Sequence, residues 1–439
     1  MRARPHPAWP EEPSWPATPP AVVPASALPA QPAPSRVKVL HVITRFWAGA
    51  GGNTLLSAVG MDPARYQVWV AGCPGGPLWE RARAAGVGTV ELRRFREVLS
   101  PLEDLYVLVQ LIRLLQRERF TVVHTHSAKG GFLGRLAAWL CRTPVIVHTF
   151  HGFSVHDFMS RPKRRLYLLL ERALRRPTHA FFAVSPRVAR EAVELRLAPP
   201  GTVSVVPSAV ELDGIPRGDA TGVREELGIP PGVPLVGTVG RIDLQKAPLD
   251  FVRMAALVAS THPLARFVMV GDGPLLEQVR READRLGVRV ELTGFRPDAP
   301  RLAAAFDVFV ISSLYEGLGR ALTEALGSGR PVVATAVNGV PDLVASGSTG
   351  LLASPADPAA LADCVRWLLD HPAEARRMGQ QGRAMVLAAF APAVMCRLLD
   401  RAYGRLLGLP APAVPPPTTD AGNGRRAASH EPVTVQHAD

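Results

Sequence analysis

The chain has 439 residues, 47% of them hydrophobic, which is enough for two or three domains with sizeable cores and excludes a wholly disordered protein. Its formal net charge of +12 is unevenly placed: residues 36–210 hold 25 Lys and Arg against 11 Asp and Glu, whereas residues 211–410 hold 21 against 22. Such a basic half suits an anionic membrane surface or a phosphate-bearing ligand at least as well as nucleic acid. Phe, Trp and Tyr together make up only 6%, so there is little to stack bases on, and no nucleic-acid partner is expected. The four cysteines, Cys73, Cys141, Cys364 and Cys396, are widely spaced with no CxxC, which argues against a zinc knuckle or a disulfide framework and fits a reducing compartment. No apolar run reaches about 18 residues, and the opening MRARPHPAWPEEPSWP lacks an apolar signal core, so a cytoplasmic protein is expected.

Residues 1–35 carry eleven prolines and no periodic apolar pattern, and they read as a disordered leader; residues 411–439 read as a disordered tail. Between them, short apolar runs alternate with helical patterns. Strands are predicted at 37–44, 66–72, 120–126, 144–150, 179–185 and 202–207, then at 235–240, 266–271, 288–294, 307–313 and 331–336. Helices of 10–20 residues separate most of them, 102–118 and 249–260 among them. Continuous apolar strands spaced by helices indicate βαβ units and parallel sheets covered on both faces. The series breaks across 207–234, rich in Gly and Pro, so two doubly wound α/β domains are predicted with a linker there. In such folds ligands sit at the carboxyl ends of the strands.

The loops at those ends carry the informative residues. After the first strand, TRFWAGAGGNTLL offers Gly49, Gly51 and Gly52 for close backbone approach beside a helix start, without the GxGxxG spacing of a dinucleotide site; no GxxxxGK[ST] occurs anywhere. HTFHGF places His151 at a strand end, with His148 and His124 inside strands; no carboxylate or cysteine shares their spacing, and no metal is expected. RIDLQKAP puts Arg241 and Lys246 on one loop, a pair suited to a diphosphate. In the segment ISSLYEGLGRALTEALG, Glu316 and Glu324 lie eight positions apart across a loop that turns helical near Gly319. Eight helical residues span about 12 Å. That is too far for a glycosidase-type carboxylate pair, which needs about 5–9.5 Å. The spacing fits instead the two ends of one extended ligand, with a helix N-terminus for a pyrophosphate between them. NGVP (338–341) offers further backbone N–H groups at Gly339 and Val340.

Taken together, FHGF, GRIDLQKAP, GDGP (271–274) and EGLGRALTE, in this order, resemble the retaining glycosyltransferases of family 4 across about residues 37–408. The resemblance implies a GT-B fold: two Rossmann-like doubly wound parallel-sheet domains facing each other across a cleft. It implies an acceptor-side domain at 36–210, a nucleotide-sugar donor domain at 211–392, and a helix at 393–410 crossing back to the first domain. Arg241 and Lys246 would bind the donor diphosphate, Glu316 would contact the donor sugar, Glu324 would bind the ribose, and His151 would reach the sugar from the first domain. Gly51 and Gly52 would lie beside donor and acceptor. Such enzymes need no metal or cofactor; the nucleotide-diphosphate-sugar is a co-substrate. The family often has Gly-Gly-x-Pro-Glu where this chain reads Asn338-Gly339-Val340-Pro341-Asp342, and Phe where it has Leu318.

HTHSAKGGFLGRLAAWL and HTFHGFSVHDF resemble members that build bacterial surface polysaccharide on a polyprenyl-diphosphate carrier. Residues 161–176, with seven Lys and Arg and leucines at helical spacing, would then lie on an anionic membrane, placing the protein peripherally on the cytoplasmic face of the inner membrane. Two other functions fit the same residues less well: a GT-B nucleotide-sugar 2-epimerase, or a non-catalytic binder of anionic surfaces or nucleic acid.

Overall fold

The computed structural model describes residues 36–410 except 48, 154–159, 212 and 214–221; the predicted leader and tail, and part of the predicted linker, lie outside the described residues. The first domain runs β1 (Val37–Arg45), α1 (Ala50–Val59), β2 (Tyr66–Cys73), α2 (Leu78–Ala84), β3 (Gly88–Glu91) and α3 (Pro101–Glu118). It continues β4 (Val122–His126), α4 (Ala128–Leu140), β5 (Val145–Phe150), α5 (Arg161–Ala173), β6 (Ala180–Ala183), α6 (Pro186–Glu194) and β7 (Val203–Val205). The second begins with α7 (Val223–Glu226), β8 (Leu235–Val239), α8 (Pro248–Ala259), β9 (Arg266–Val270), α9 (Leu276–Leu286), β10 (Val290–Gly294) and α10 (Ala299–Ala303). Then come β11 (Val308–Ile311), α11 (Arg320–Gly327), β12 (Val332–Thr335), α12 (Val340–Leu343) and β13 (Leu351–Ala353). The last helices are α13 (Pro358–Asp370), α14 (Pro372–Ala389) and α15 (Pro392–Leu407).

All strands pair in parallel, in the orders β3-β2-β1-β4-β5-β6-β7 and β10-β9-β8-β11-β12-β13. Alternation along each strand feeds two cores. On one face of the first sheet Leu40, Val42, Val123 and Ile146 pack with Val107 and Leu111 of α3 and Leu133 of α4. On the other face Val39, Val145 and Val147 pack with Leu55 of α1 and Leu399 of α15. The second sheet divides likewise, with Val236, Met269 and Val310 facing α8 and α13, and Val268, Phe309 and Val332 facing α11. Strands buried on both faces explain why the sequence shows apolar runs rather than alternation.

Strand order reverses between β1 and β4 in the first sheet and between β8 and β11 in the second. At such a reversal the two following loops diverge to opposite faces and leave a crevice at the strands' carboxyl ends. The chain crosses between domains twice. Val210 N–H donates to the Phe390 carbonyl where the two crossings meet. α15 then docks on the first domain, with Tyr66 Oη–H donating to Asp400 at 2.5 Å and Tyr403 Oη 2.6 Å from His124 Nδ1. By length and composition alone, Pro372–Leu407 would pass as a membrane-crossing stretch. In this fold it is two helices, α14 packed against α11 and α13 and α15 packed against α1.

The first domain also buries an unusual polar group. His41 on β1, His124 and His126 on β4, and His148 on β5 are all at most 3% exposed. Burial pushes His41 down to about 3 and His151, just past β5, to about 4, and drives His124, His126 and His148 well below the ordinary imidazole range. These rings are therefore neutral in the fold, whereas an unfolded histidine titrates near about 6.5. With folded values lowered, the unfolded chain takes up more protons, so stability is lost as pH falls from about 6.5 toward the folded values, by about 1.4 kcal/mol per histidine per pH unit. Thermal unfolding across a pH series should show a midpoint that is level above about pH 7 and falls steeply from about 6.5 to 5. A level midpoint through that window would mean that the rings are not buried neutral.

Candidate active site

The second sheet's reversal point gathers the predicted cations and the first glutamate. The loop after β8 closes a short 3₁₀ turn, Leu244–Lys246, capped by Asp243, whose carboxylate accepts the Lys246 backbone N–H at 3.3 Å. That turn aims Lys246 at the loop after β11, where Lys246 Nζ pairs with Glu316 Oε1. Ser313 Oγ–H donates to the same oxygen at 2.9 Å, and Glu316 is only 5% exposed. A further pair of bonds locks the two loops in register: Leu314 N–H to the Gln245 carbonyl at 2.8 Å, and the Gln245 amide to the Tyr315 carbonyl at 3.0 Å. Arg241 stands farther out, mostly exposed, paired with Asp243 at 3.0 Å and donating to Gln245 Oε1 at 3.1 Å.

The first domain meets this group through backbone. A Cβ on Gly317 would lie 1.8 Å from the His151 carbonyl oxygen, and one on Gly339 would lie 1.9 Å from the Gly317 carbonyl oxygen. Real Cβ atoms are excluded at both points, so three loop ends, after β5, β11 and β12, close on one another only because these residues are glycines. Gly152, at φ 132°, lies in the same contact, where a Cβ would come within 3.0 Å of Gly317 Cα. The His151 backbone is thereby held against Gly317, the neighbour of Glu316, and its ring Nε2 is 2.9 Å from His126 Nδ1.

Asn338, at φ 39°, accepts the Glu316 N–H at 3.2 Å and donates to Glu191 of α6. Asp342, 2% exposed, accepts the Arg187 N–H at 2.7 Å in the first turn of α6, so it joins the domains with its side chain. The Val340 N–H is already given to the Val337 carbonyl at 2.9 Å, which corrects the expectation that it points at a ligand; Val340 is a fully buried wall residue. Gly51 and Gly52 belong to the first turn of α1, not to a loop before it.

Glu324, in the second turn of α11, pairs with Arg320 Nε at 2.8 Å. Burial pushes its carboxyl up, against the pull of Arg320. Arg320 also packs on Gly52 and donates to the Ala209 carbonyl at 3.3 Å, so α1, the crossing and α11 converge on it. The structure thus gathers Lys246, Glu316 and His151 in one group and Gly52 and Glu324 around Arg320. Ser313, Asn338 and Arg320 were not singled out in the sequence; only the i,i+4 spacing of Arg320 and Glu324 signals any of them.

His41, His124 and His126 bring ring nitrogens within 4.8 Å of one another, a spacing a metal could use. Both nitrogens of His124 are already bonded, to Tyr403 Oη and to Thr149 Oγ1 at 2.6 Å each, and a cation would have to displace one of them.

Residues 21–213 match the family model described as Glycosyltransferase Family 4, and residues 233–371 match Glycosyl transferases group 1. A UDP-Gal:alpha-D-GlcNAc-diphosphoundecaprenol alpha-1,3-galactosyltransferase of Escherichia coli is 33% identical over 264 residues, covering 58% of this chain and 67% of that one. A 2-deoxystreptamine N-acetyl-D-glucosaminyltransferase of Streptomyces fradiae is 34% identical over 321 residues, covering 67% of this chain and 75% of that one. Among solved structures, HepE of Anabaena, crystallised with UDP-glucose, superposes with a TM-score of 0.72 at 20% identity, covering 84% of this chain and all of that one. This is the two-domain GT-B arrangement, reached from the sheet orders above.

The glycine contact is open to direct test. Gly317→Ala should force the loops after β5 and β11 apart at a cost of about 1–3 kcal/mol, seen as a thermal midpoint lower by several degrees. An unchanged midpoint would show that the loops do not touch.

Proposed function

Since the chain belongs to family 4 of the glycosyltransferases, we propose that it is a retaining enzyme that moves a sugar from a nucleoside diphosphate donor to a lipid-linked saccharide. The observation that carries this reading is the Lys246–Glu316–Ser313 group at the β8/β11 reversal, faced by His151 from the other domain. Arg241 and Lys246 offset the charge that grows on the leaving diphosphate, work done elsewhere by a divalent cation. The Gly339 loop and the N-terminus of α11 support the phosphates by backbone dipoles. Glu324 accepts hydrogen bonds from the ribose hydroxyls, and Glu316 holds the transferred sugar. The Gly51–Gly52 turn borders donor and acceptor.

In the transfer, the bond from the anomeric carbon to the diphosphate oxygen breaks and the acceptor hydroxyl oxygen bonds that carbon on the same face. The acceptor proton passes to the leaving phosphate oxygen, and a nucleoside diphosphate is released. No protein nucleophile and no metal or cofactor enters this scheme. The lipid-linked acceptor is favoured by the Escherichia coli relative, whose name specifies a diphosphoundecaprenol-linked acceptor, and by the basic first domain.

The same reading places the protein peripherally on the cytoplasmic face of a bacterial inner membrane. α5 carries Arg161, Lys163, Arg164 and Arg165, and it leaves Leu166 45% and Leu169 65% exposed, while Glu171 turns inward to pair with Arg135. On α3, Leu102 is 84% exposed and Leu105 58%. The exposed leucines of α5, flanked by its cations, suit insertion at an anionic interface.

Three measurements decide these points. In a thermal-shift panel of UDP, GDP, ADP and CMP, one nucleotide at about 100 times its dissociation constant should add roughly 2.7 kcal/mol of stability, lost in Glu324→Ala. Glu316→Ala should abolish transfer; turnover within about twofold of the wild type would overturn the site assignment. In sedimentation with phosphatidylglycerol vesicles at about physiological ionic strength, the wild type should pellet and a variant with Arg161, Lys163 and Arg165 all replaced by Glu should not. A wild type that stays in the supernatant would refute membrane docking.

A further inference from the structure

Behind His151 runs a chain of three rings. His151 Nε2 lies 2.9 Å from His126 Nδ1, and His126 Nε2 lies 2.9 Å from His41 Nδ1. His41 Nε2, at the far end, is buried without a hydrogen-bond partner among the described residues. His124 stacks beside both inner rings but bonds elsewhere, to Tyr403 and Thr149. His148 bonds Thr125 Oγ1 at 2.8 Å, and Arg135, the cation nearest it, is held by Glu171.

A neutral imidazole carries one donor and one acceptor. The rings are neutral by burial, so three in series have only two self-consistent arrangements. Either every Nε2 carries the proton, which strands an N–H at His41 Nε2 in the core, or every Nδ1 does, which strands only a lone pair there. An orphaned buried N–H is the rarer and costlier of the two. The second arrangement makes His41 Nδ1–H donate to His126 Nε2 and His126 Nδ1–H donate to His151 Nε2. His151 is left with Nδ1–H for a ligand.

We propose that His41 and His126 fix the tautomer of His151, presenting it as an Nδ1–H donor to an oxygen of the bound nucleotide sugar, with His126 a positioning residue. This inference rests on the transferase reading above and assigns the direction of one hydrogen bond within it. A donor at that nitrogen grips an oxygen and cannot take a proton there, which agrees with proton transfer to the leaving phosphate.

Long-range ¹H–¹⁵N correlation spectra of the full chain, with His151 assigned by comparison with His151→Gln, read the tautomer directly. A protonated Nδ1 and bare Nε2 is expected; the reverse overturns the proposal whatever the kinetics show. His126→Leu should lower kcat about tenfold with the donor KM within about twofold. In His126→Asn the amide N–H takes the place of Nδ1–H, so turnover should recover to within about threefold of the wild type. Turnover in His126→Leu equal to the wild type, or no recovery in His126→Asn, would overturn it as well. Failure of the transferase reading shows differently, as no stabilisation by any nucleoside diphosphate.

Discussion

Three backbone segments from two domains touch without a side chain between them, and the candidate site depends on that contact. Gly317 meets the His151 carbonyl and Gly339 meets the Gly317 carbonyl at distances no Cβ would allow. The approach brings the end of β5 against the ends of β11 and β12, and it sets the His151 backbone against the residue that follows Glu316. Side-chain bonds then fix the approach. Asp342 accepts from the first turn of α6, and Asn338 ties the Glu316 backbone to Glu191 of the same helix. The second domain thus uses its loops both to hold its own carboxylate and to grip the first domain.

The parallel sheets explain why these loops are near one another at all. Each sheet reverses its strand order once, and the loops leaving the two central strands diverge there. Lys246 and Glu316 come from the two strands that flank the reversal in the second sheet. His41 and His126 come from the two that flank it in the first, in register across β1 and β4, where Ile43 pairs His126 and His41 pairs His124. A charged pair lies at one reversal and a neutral polar relay at the other. Lys246 keeps part of its side chain exposed, whereas the inner rings of the relay are buried and bond mainly to one another.

Most of the architecture is legible in the sequence because buried parallel strands leave apolar runs. β3 and β13 are not: β3 reads only GTVE and β13 only LLA, without the longer apolar run TVSVVP that marks the equally short edge strand β7. In the site, Lys246, Glu316 and His151 could be placed from the sequence by their position after strands. Arg320, Ser313 and Asn338 could not, because their roles come from contacts between loops far apart in the chain. Val340 departs from expectation for a local reason: the turn at 337–340 uses its N–H internally, and residue type does not reveal a turn's internal bonding. Asp342 shows the reverse case, where an exchange of Glu for Asp keeps a carboxylate that reaches α6.

The return of α15 to the first domain has a consequence for how the protein is made. Tyr403 completes the hydrogen bonding of His124, and Met395, Leu399 and Ala402 cover the apolar face shared with α1. As the chain leaves the ribosome, the first sheet forms some two hundred residues before the helix that closes its core is synthesised. Through that interval the nascent first half holds an open apolar groove and a histidine lacking its phenol. Unlike most two-domain proteins, whose units mature in turn, this chain finishes its first domain last. Its earliest window for misassembly or chaperone capture therefore stays open until α15 has been made.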